Sequence, residues 1–167
     1  MQLTYGKDFY MPRDKTITHN KLLPSIKQEF LEHGYEKASL QNIARCAGIT
    51  AAGLYRHFPS KEAMFTAMVE PVTSDFLKMC DISMEETYSR LSDNDFLQNF
   101  NEFRTDKNRE TINYMYDNYD VFRLLLVCSK GTPYEAFEDQ LVEIEMRGTK
   151  DLFHVLDKRG LPHKAVT

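Results

Sequence analysis

Residues 39–58 constrain the fold more than any other stretch, because they set two helices of about two turns each around a single glycine. Ser39 is placed to cap the first of them, whose Leu40, Ile43, Ala44 and Ala47 share one face, and Gly48 ends it. The second opens at Thr50, just after Ile49, and turns Leu54 and Phe58 inward at a spacing of four before Pro59 and Ser60 break and recap the chain. Helices this short are marginal alone in water, where ~12–15 residues are usually needed, so packing on a third element has to hold them. Gly48 lets one helix hand over to the next at a steep angle. Two turns, glycine, two turns is the helix-turn-helix plan, in which the second helix enters the major groove of DNA. Its outward face offers Thr50, Ala51, Ala52, Tyr55 and Arg56, combining small residues for approach to base edges with hydroxyls and a cation for phosphates. Many αα-hairpins share this spacing, and spacing alone leaves both readings open.

The third element is a helix over residues 21–33, striped by Leu22, Leu23, Ile26, Phe30 and Leu31 and stopped by Gly34. Pro24 removes a backbone bond to Asn20, so this helix is expected either to start later or to kink in its first turn. Residues 1–15 carry Pro12, mixed charge and no apolar periodicity, and read as a flexible arm. The chain then divides into a three-helix head, 16–61, and a helical body, 62–167. In the body a helix from Ser60 carries Met64, Phe65, Met68, Val69, Val72 and Phe76, with a kink expected at Pro71. One long amphipathic helix is expected from Phe96 to Asn118, followed by a short buried helix over 121–128 closed by Lys130 and Gly131. Thr132, Pro133 and Glu135 read as a capping box that opens the last helix, which runs through Phe137, Leu141, Ile144, Leu152 and Val155 to Gly160. The expectation is an all-α chain of seven helices.

The net charge of −4 conceals a division. Residues 1–61 hold nine Lys or Arg against five acids, an excess of four positive charges, whereas the remainder carries an excess of eight negative ones. A basic head on an acidic body permits phosphate contact at one end only. Cys46, Cys80 and Cys128 are odd in number and far apart, so they read as reduced, buried thiols rather than a disulfide framework or zinc site. With no membrane span or signal peptide in the pattern, a cytoplasmic protein is expected. The five histidines never fall at metal-ligand spacing, and no Gly-rich phosphate loop, His-Glu-x-x-His or Gly-x-Ser-x-Gly occurs, so neither an enzyme nor a metal or cofactor site is expected.

The stretches Gly34-Tyr35, Ser39-Leu40-x-x-Ile43-Ala44-x-x-Ala47-Gly48-Ile49-Thr50 and Leu54-Tyr55-Arg56-His57-Phe58-Pro59-Ser60-Lys61-Glu62 strongly resemble the N-terminal head of TetR-family transcriptional regulators, from about Lys21 to Val69. The resemblance implies a ligand-released repressor that binds a palindromic DNA operator as a homodimer. It places Ser39 and Gln41 against the phosphate backbone, Thr50, Ala51 and Ala52 near base edges, and Tyr55, His57 and Lys61 on phosphates. Bland alternatives stand beside these roles: Tyr55 as a ring packed beside Leu54, His57 as a satisfied histidine, Arg56 as a solvated charge. Family members usually continue into two further helices that form the dimer interface, whereas this sequence ends seven residues after Gly160. The expectation is a chain truncated or disordered past Thr167, or a different mode of dimerisation.

The body should hold a small, mostly apolar or aromatic effector, with Phe103, Met115, Tyr119, Phe122, Leu126, Phe137 and Leu141 as its expected lining. Aromatic and Met stripes at this spacing are also what a plain core looks like. The rival function is a helical ligand-binding or protein-interaction bundle without DNA affinity, which salt-sensitive DNA binding would separate from a regulator.

Overall fold

The computed structural model describes residues 15–91, 93–161 and 163, and among these it contains eight helices and no strand. They are α1 (Lys15–Lys37), α2 (Leu40–Cys46), α3 (Ala51–Tyr55), α4 (Lys61–Arg90), α5 (Asn94–Gln98), α6 (Phe100–Asp117), α7 (Tyr119–Val127) and α8 (Phe137–Lys158). No helix is long and apolar enough to cross a membrane. The arm expected over 1–15 lies outside the described residues except for Lys15, which opens α1.

Both prolines lie inside continuous helix, and the later start expected for α1 because of Pro24 is not found. α1 starts six residues before Lys21 and carries Pro24 in its interior, and its one non-helical residue is Gly34. α4 continues as helix through Pro71, whose ring is exposed, so the N–H it lacks is missing on the solvent side. At Gly34 the backbone adopts φ 69°, ψ 167°, a conformation that side chains with a Cβ resist. The break frees the next amide, and Tyr35 N–H donates to the carbonyl of Cys128 at 2.8 Å.

Asparagines divide the middle of the chain. The single helix expected over 96–118 is interrupted at Asn99, whose side-chain amide takes the Asp95 carbonyl at 2.8 Å in competition with the helical ladder. Asn118 repeats the device on the Tyr114 carbonyl at 3.0 Å and separates α6 from α7. The capping box at 132–135 is also corrected, because α8 begins only at Phe137. Thr132 instead folds a turn: its hydroxyl accepts from Tyr134 N–H and donates to the Ser129 carbonyl, while the Glu135 carboxylate accepts from Gly131 N–H. α7 is less buried than expected, since Leu126 is 40% and Val127 73% exposed.

Two hydrophobic clusters hold these elements. The larger joins α1, α2, α3 and the first half of α4 to α7 and the start of α8, through Ile26, Phe30, Ile43, Leu54, Phe65 and Phe122. Phe30 meets Phe65 edge-on at 5.3 Å and Tyr35 at 5.9 Å, so α1 is the third element that the two short helices require. The smaller cluster lies at the far end, where Leu91, Phe96, Phe100 and Leu156 close the body.

Candidate nucleic-acid interface

α2, α3 and α4 each start on a hydroxyl cap. Ser39 Oγ accepts from Asn42 N–H at 3.3 Å, Thr50 Oγ1 from Gly53 N–H at 3.0 Å, and Ser60 Oγ from Ala63 N–H at 3.0 Å. These bonds satisfy donors that a helix start otherwise leaves orphaned. Between α2 and α3 Gly48 takes φ 69°, and the closure is double: Gly48 N–H donates to the Arg45 carbonyl at 3.1 Å and Ile49 N–H to the Ala44 carbonyl at 2.9 Å. Ile49 is thereby turned toward the core, and α3 leaves α2 with its polar face outward.

Of the nine residues singled out, Ser39, Gln41, Thr50, Ala52, Tyr55 and Arg56 are exposed, and Ala51, His57 and Lys61 are half-buried. Tyr55 is 49% exposed while its neighbour Leu54 is fully buried, so the ring does not simply pack beside it. Ser39 and Thr50 are already engaged as caps, which leaves each hydroxyl hydrogen still able to donate. Lys61 is less free than expected. Its ammonium donates to the Glu36 carbonyl at 3.1 Å and stands 5.0 Å above the Tyr35 ring, tying the start of α4 to the end of α1. Burial lowers its pKa below the ordinary lysine value, partly countered by the carboxylates of Glu29 and Glu36.

Glu29 and Arg45 were missed. Glu29 is buried, 5% exposed, with its Oε1 accepting the Ser39 backbone N–H at 2.8 Å and its Oε2 the side-chain amide of Asn42. The Ser39 backbone N–H is therefore occupied from inside the protein. A signal did exist in the sequence: helical spacing sets position 29 beside Ile26 and Phe30 on the apolar face of α1, where a carboxylate needs partners. Arg45 is exposed on α2, and its guanidinium donates to Asn42 Oδ1.

Four of the seven residues expected to line an effector site gather in or against the larger cluster. Phe122 and Phe137 are buried in the larger cluster, Met115 and Leu141 pack at its margin, Phe103 belongs to the smaller one, and Tyr119 and Leu126 are exposed. The cavities lie elsewhere. One of 430 Å³ opens between α4 and the 132–136 turn, lined by Glu70, Thr73, Ser74, Asp81, Tyr134 and Gln140 among others, and a neighbour of 630 Å³ continues along α4 toward Glu62. Tyr134 donates its hydroxyl to Glu70 across this region. The free cysteines are also not uniformly buried, because Cys46, at the end of α2, is exposed.

Comparison with known proteins bears on this head. Residues 22–68 match the family described as bacterial regulatory proteins, tetR family. The nucleoid occlusion factor SlmA of Haemophilus influenzae is 37% identical over 73 residues, covering 43% of this chain and 34% of SlmA. The HTH-type transcriptional regulator UidR of Escherichia coli is 35% identical over 59 residues, 35% of this chain and 30% of UidR. The chain thus spans about a third of the length of these relatives. Among solved structures NalD, the secondary repressor of the MexAB-OprM multidrug efflux pump in Pseudomonas aeruginosa, aligns over 84% of this chain and 68% of its own at 20% identity and a TM-score of 0.41. With its caps, its glycine turn and the matched sequence in one three-helix unit, residues 22–68 form a head similar to that of the tetR family of bacterial regulatory proteins.

Proposed function

We propose that this protein is a sequence-specific DNA-binding transcriptional repressor that reads a palindromic operator as a dimer and releases it on binding a small molecule. The observation that carries the reading is that Gln41, Arg45, Thr50, Ala52, Tyr55 and Arg56 are all exposed on α2, α3 and their caps within the matched head. Together they combine cations and hydroxyls for phosphates with a small residue where close approach to base edges is needed. Five residues of α3 reach only a few base pairs, so two copies supply the specificity, with half-sites about one helical turn (~34 Å) apart. α8 is the surface for the second copy, because Val142 and Met146 stand exposed one turn apart on it.

The effector reading moves from the apolar residues to the groove along α4. Its lining mixes carboxylates, hydroxyls and the Tyr134 ring, which suits a polar or cationic ligand with an aromatic part better than a wholly apolar one. α4 carries Lys61 at one end and Glu70 in this groove, so a ligand there acts on the helix that leads to the head. It changes DNA affinity only to the extent that it prefers one conformation of the two.

The test is DNA affinity as a function of salt. With several phosphates neutralised, affinity falls by orders of magnitude between ~50 and ~200 mM salt, and Arg56→Ala weakens binding to all sequences and flattens the slope by about one. A salt-insensitive complex, or none with DNA of any sequence, overturns the reading in favour of a helical bundle without DNA affinity.

A further inference from the structure

Glu29 is the one charged side chain among the described residues that is buried, and contact with DNA gives it no task. Its two oxygens are spent on α2. One accepts the backbone N–H of Ser39, and the other the amide of Asn42, which sits three residues into the same short helix. Asn42 has two ends. Its nitrogen is committed to Glu29, so its oxygen faces outward, and there it accepts from the guanidinium of Arg45 on the exposed surface. The orientation of that amide is set by the carboxylate, since only an acceptor can take its nitrogen. A line of hydrogen bonds therefore runs from the inside of α1 through α2 to a cation on the outer face.

We infer that Glu29 is a positioning residue for operator recognition, which sets the seat of α2 on α1 and, through Asn42, the direction of Arg45 toward a backbone phosphate. The inference rests on the DNA-binding reading above. Desolvation of a buried carboxylate offsets much of what its bonds contribute to stability, so the consequence of losing Glu29 falls on geometry before it falls on the fold. Glu29→Gln is the sharpest probe. The new amide can accept from Ser39, but its nitrogen then meets the nitrogen of Asn42, and Asn42 can escape only by turning its own donors toward Arg45. Exchanging the partner as well, in Glu29→Gln/Asn42→Asp, restores a donor facing an acceptor and leaves a carboxylate oxygen for Arg45.

The experiment uses the full chain at a temperature where circular dichroism shows every variant folded. Operator affinity relative to bulk DNA should fall about tenfold in Glu29→Gln, the loss expected of one well-placed contact, and return in the double variant. Amide exchange gives a reading without DNA: the Ser39 N–H, protected in the unmodified chain, should become exposed to exchange in Glu29→Leu. A double variant no better than Glu29→Gln, or a Ser39 amide equally protected in Glu29→Leu, overturns the role of Glu29. If Glu29→Leu does not fold, the Glu29→Gln pair decides alone. If the unmodified chain binds no DNA, the operator reading falls, and Ser39 exchange together with the Asn42 side-chain amide resonances still decides whether Glu29 seats α2.

Discussion

The head and the far half of the body are built on opposite terms. In the head, the two short helices α2 and α3 and the first half of α4 share one core with α1, the starts of α2, α3 and α4 are capped, and the turn between α2 and α3 is closed by two hydrogen bonds around Gly48. In the body, α4 has no buried residue between Phe76 and Leu91, α6 has none after Phe100, and α8 has none between Phe137 and Leu156. The middle of the body is three helices with their faces half open, pinned at each end by aromatic clusters. Rigidity in a helical protein follows from where side chains are packed rather than from how long the helices are. The short helices α2 and α3 are held in the main core, whereas the long helices α6 and α8 and the second half of α4 are mostly open.

The joint between the two regions is correspondingly specific. Beyond α4, the end of α1 is gripped by α7: Lys27 pairs with Asp120 at 2.7 Å, Arg123 donates to the Leu31 carbonyl at 3.3 Å, and Tyr35 N–H reaches Cys128 at 2.8 Å. The first pair is largely solvated and contributes little. The backbone bond at Tyr35 comes at the break made by Gly34, immediately before α2, so a shift of α7 reaches the head without passing through α4.

The largest expected effect breaks the comparison directly. Phe30→Ala should destabilise the protein by ~3–5 kcal/mol in chemical denaturation, because the ring is fully buried against Phe65 and Tyr35. Phe96→Ala removes an equally buried ring from the smaller cluster, and hydrogen exchange should then rise in α5 and the end of α8 while α2 and α3 keep their protection. Equal loosening of the head would show that the two clusters form one cooperative unit.

Two glycines sharpen the contrast with smaller effects of opposite sign. Gly48→Ala finds no atom within 4 Å of the new Cβ, so its cost is backbone strain alone, ~1–2 kcal/mol at φ 69°. Gly148 lies within α8, and there the new Cβ meets only the flexible end of Met84, at 3.2 Å from its sulfur. Gly148→Ala should stabilise by up to ~1 kcal/mol through helix propensity. Thermal denaturation of the two variants checks both signs, and a destabilised Gly148→Ala would mean that α4 and α8 are more tightly packed than their exposure indicates.

The smallest effect is absent at neutral pH. Burial, then the hydrogen bond to Glu70, pushes the Tyr134 phenol from the ordinary 10 up to about 12. The folded state therefore keeps a proton that the unfolded state releases first, so the stability linked to Tyr134 is complete below pH 10 and is lost as pH rises from 10 to about 12. Tyr134→Phe should shallow that alkaline decline, and tyrosinate absorbance should lose a late-titrating group in the variant. Loss of stability already at neutral pH in Tyr134→Phe would instead mark its bond to Glu70 as a structural tie between α4 and the 132–136 turn.

The glycine turn, the caps at Ser39 and Ser60, the inward Leu54 and Phe58 and the exposed Tyr55 and Arg56 were all legible, because each depends on neighbours within about four residues. Gly48 needs a left-handed backbone wherever it closes a helix, and Ser39 or Ser60 can cap only the turn that follows it. The same locality misled at Thr132, where the residues taken for a capping box close the turn that precedes α8 instead of opening the helix. At Asn99 a helix-compatible pattern hid a side chain that competes with the ladder.

What the sequence by itself determined, then, is the helical class, the head and its outward face, since 3.6-residue periodicity and cap chemistry are properties of adjacent residues. Only the tertiary structure decided that Glu29 points at Ser39, that Lys61 is drawn to the Glu36 carbonyl, and that the body's aromatics divide between two clusters. These depend on which helix faces meet, and an apolar stripe specifies that a face is buried without specifying against what. A carboxylate on such a stripe announces that a partner exists, and the partner was ten residues away on another helix.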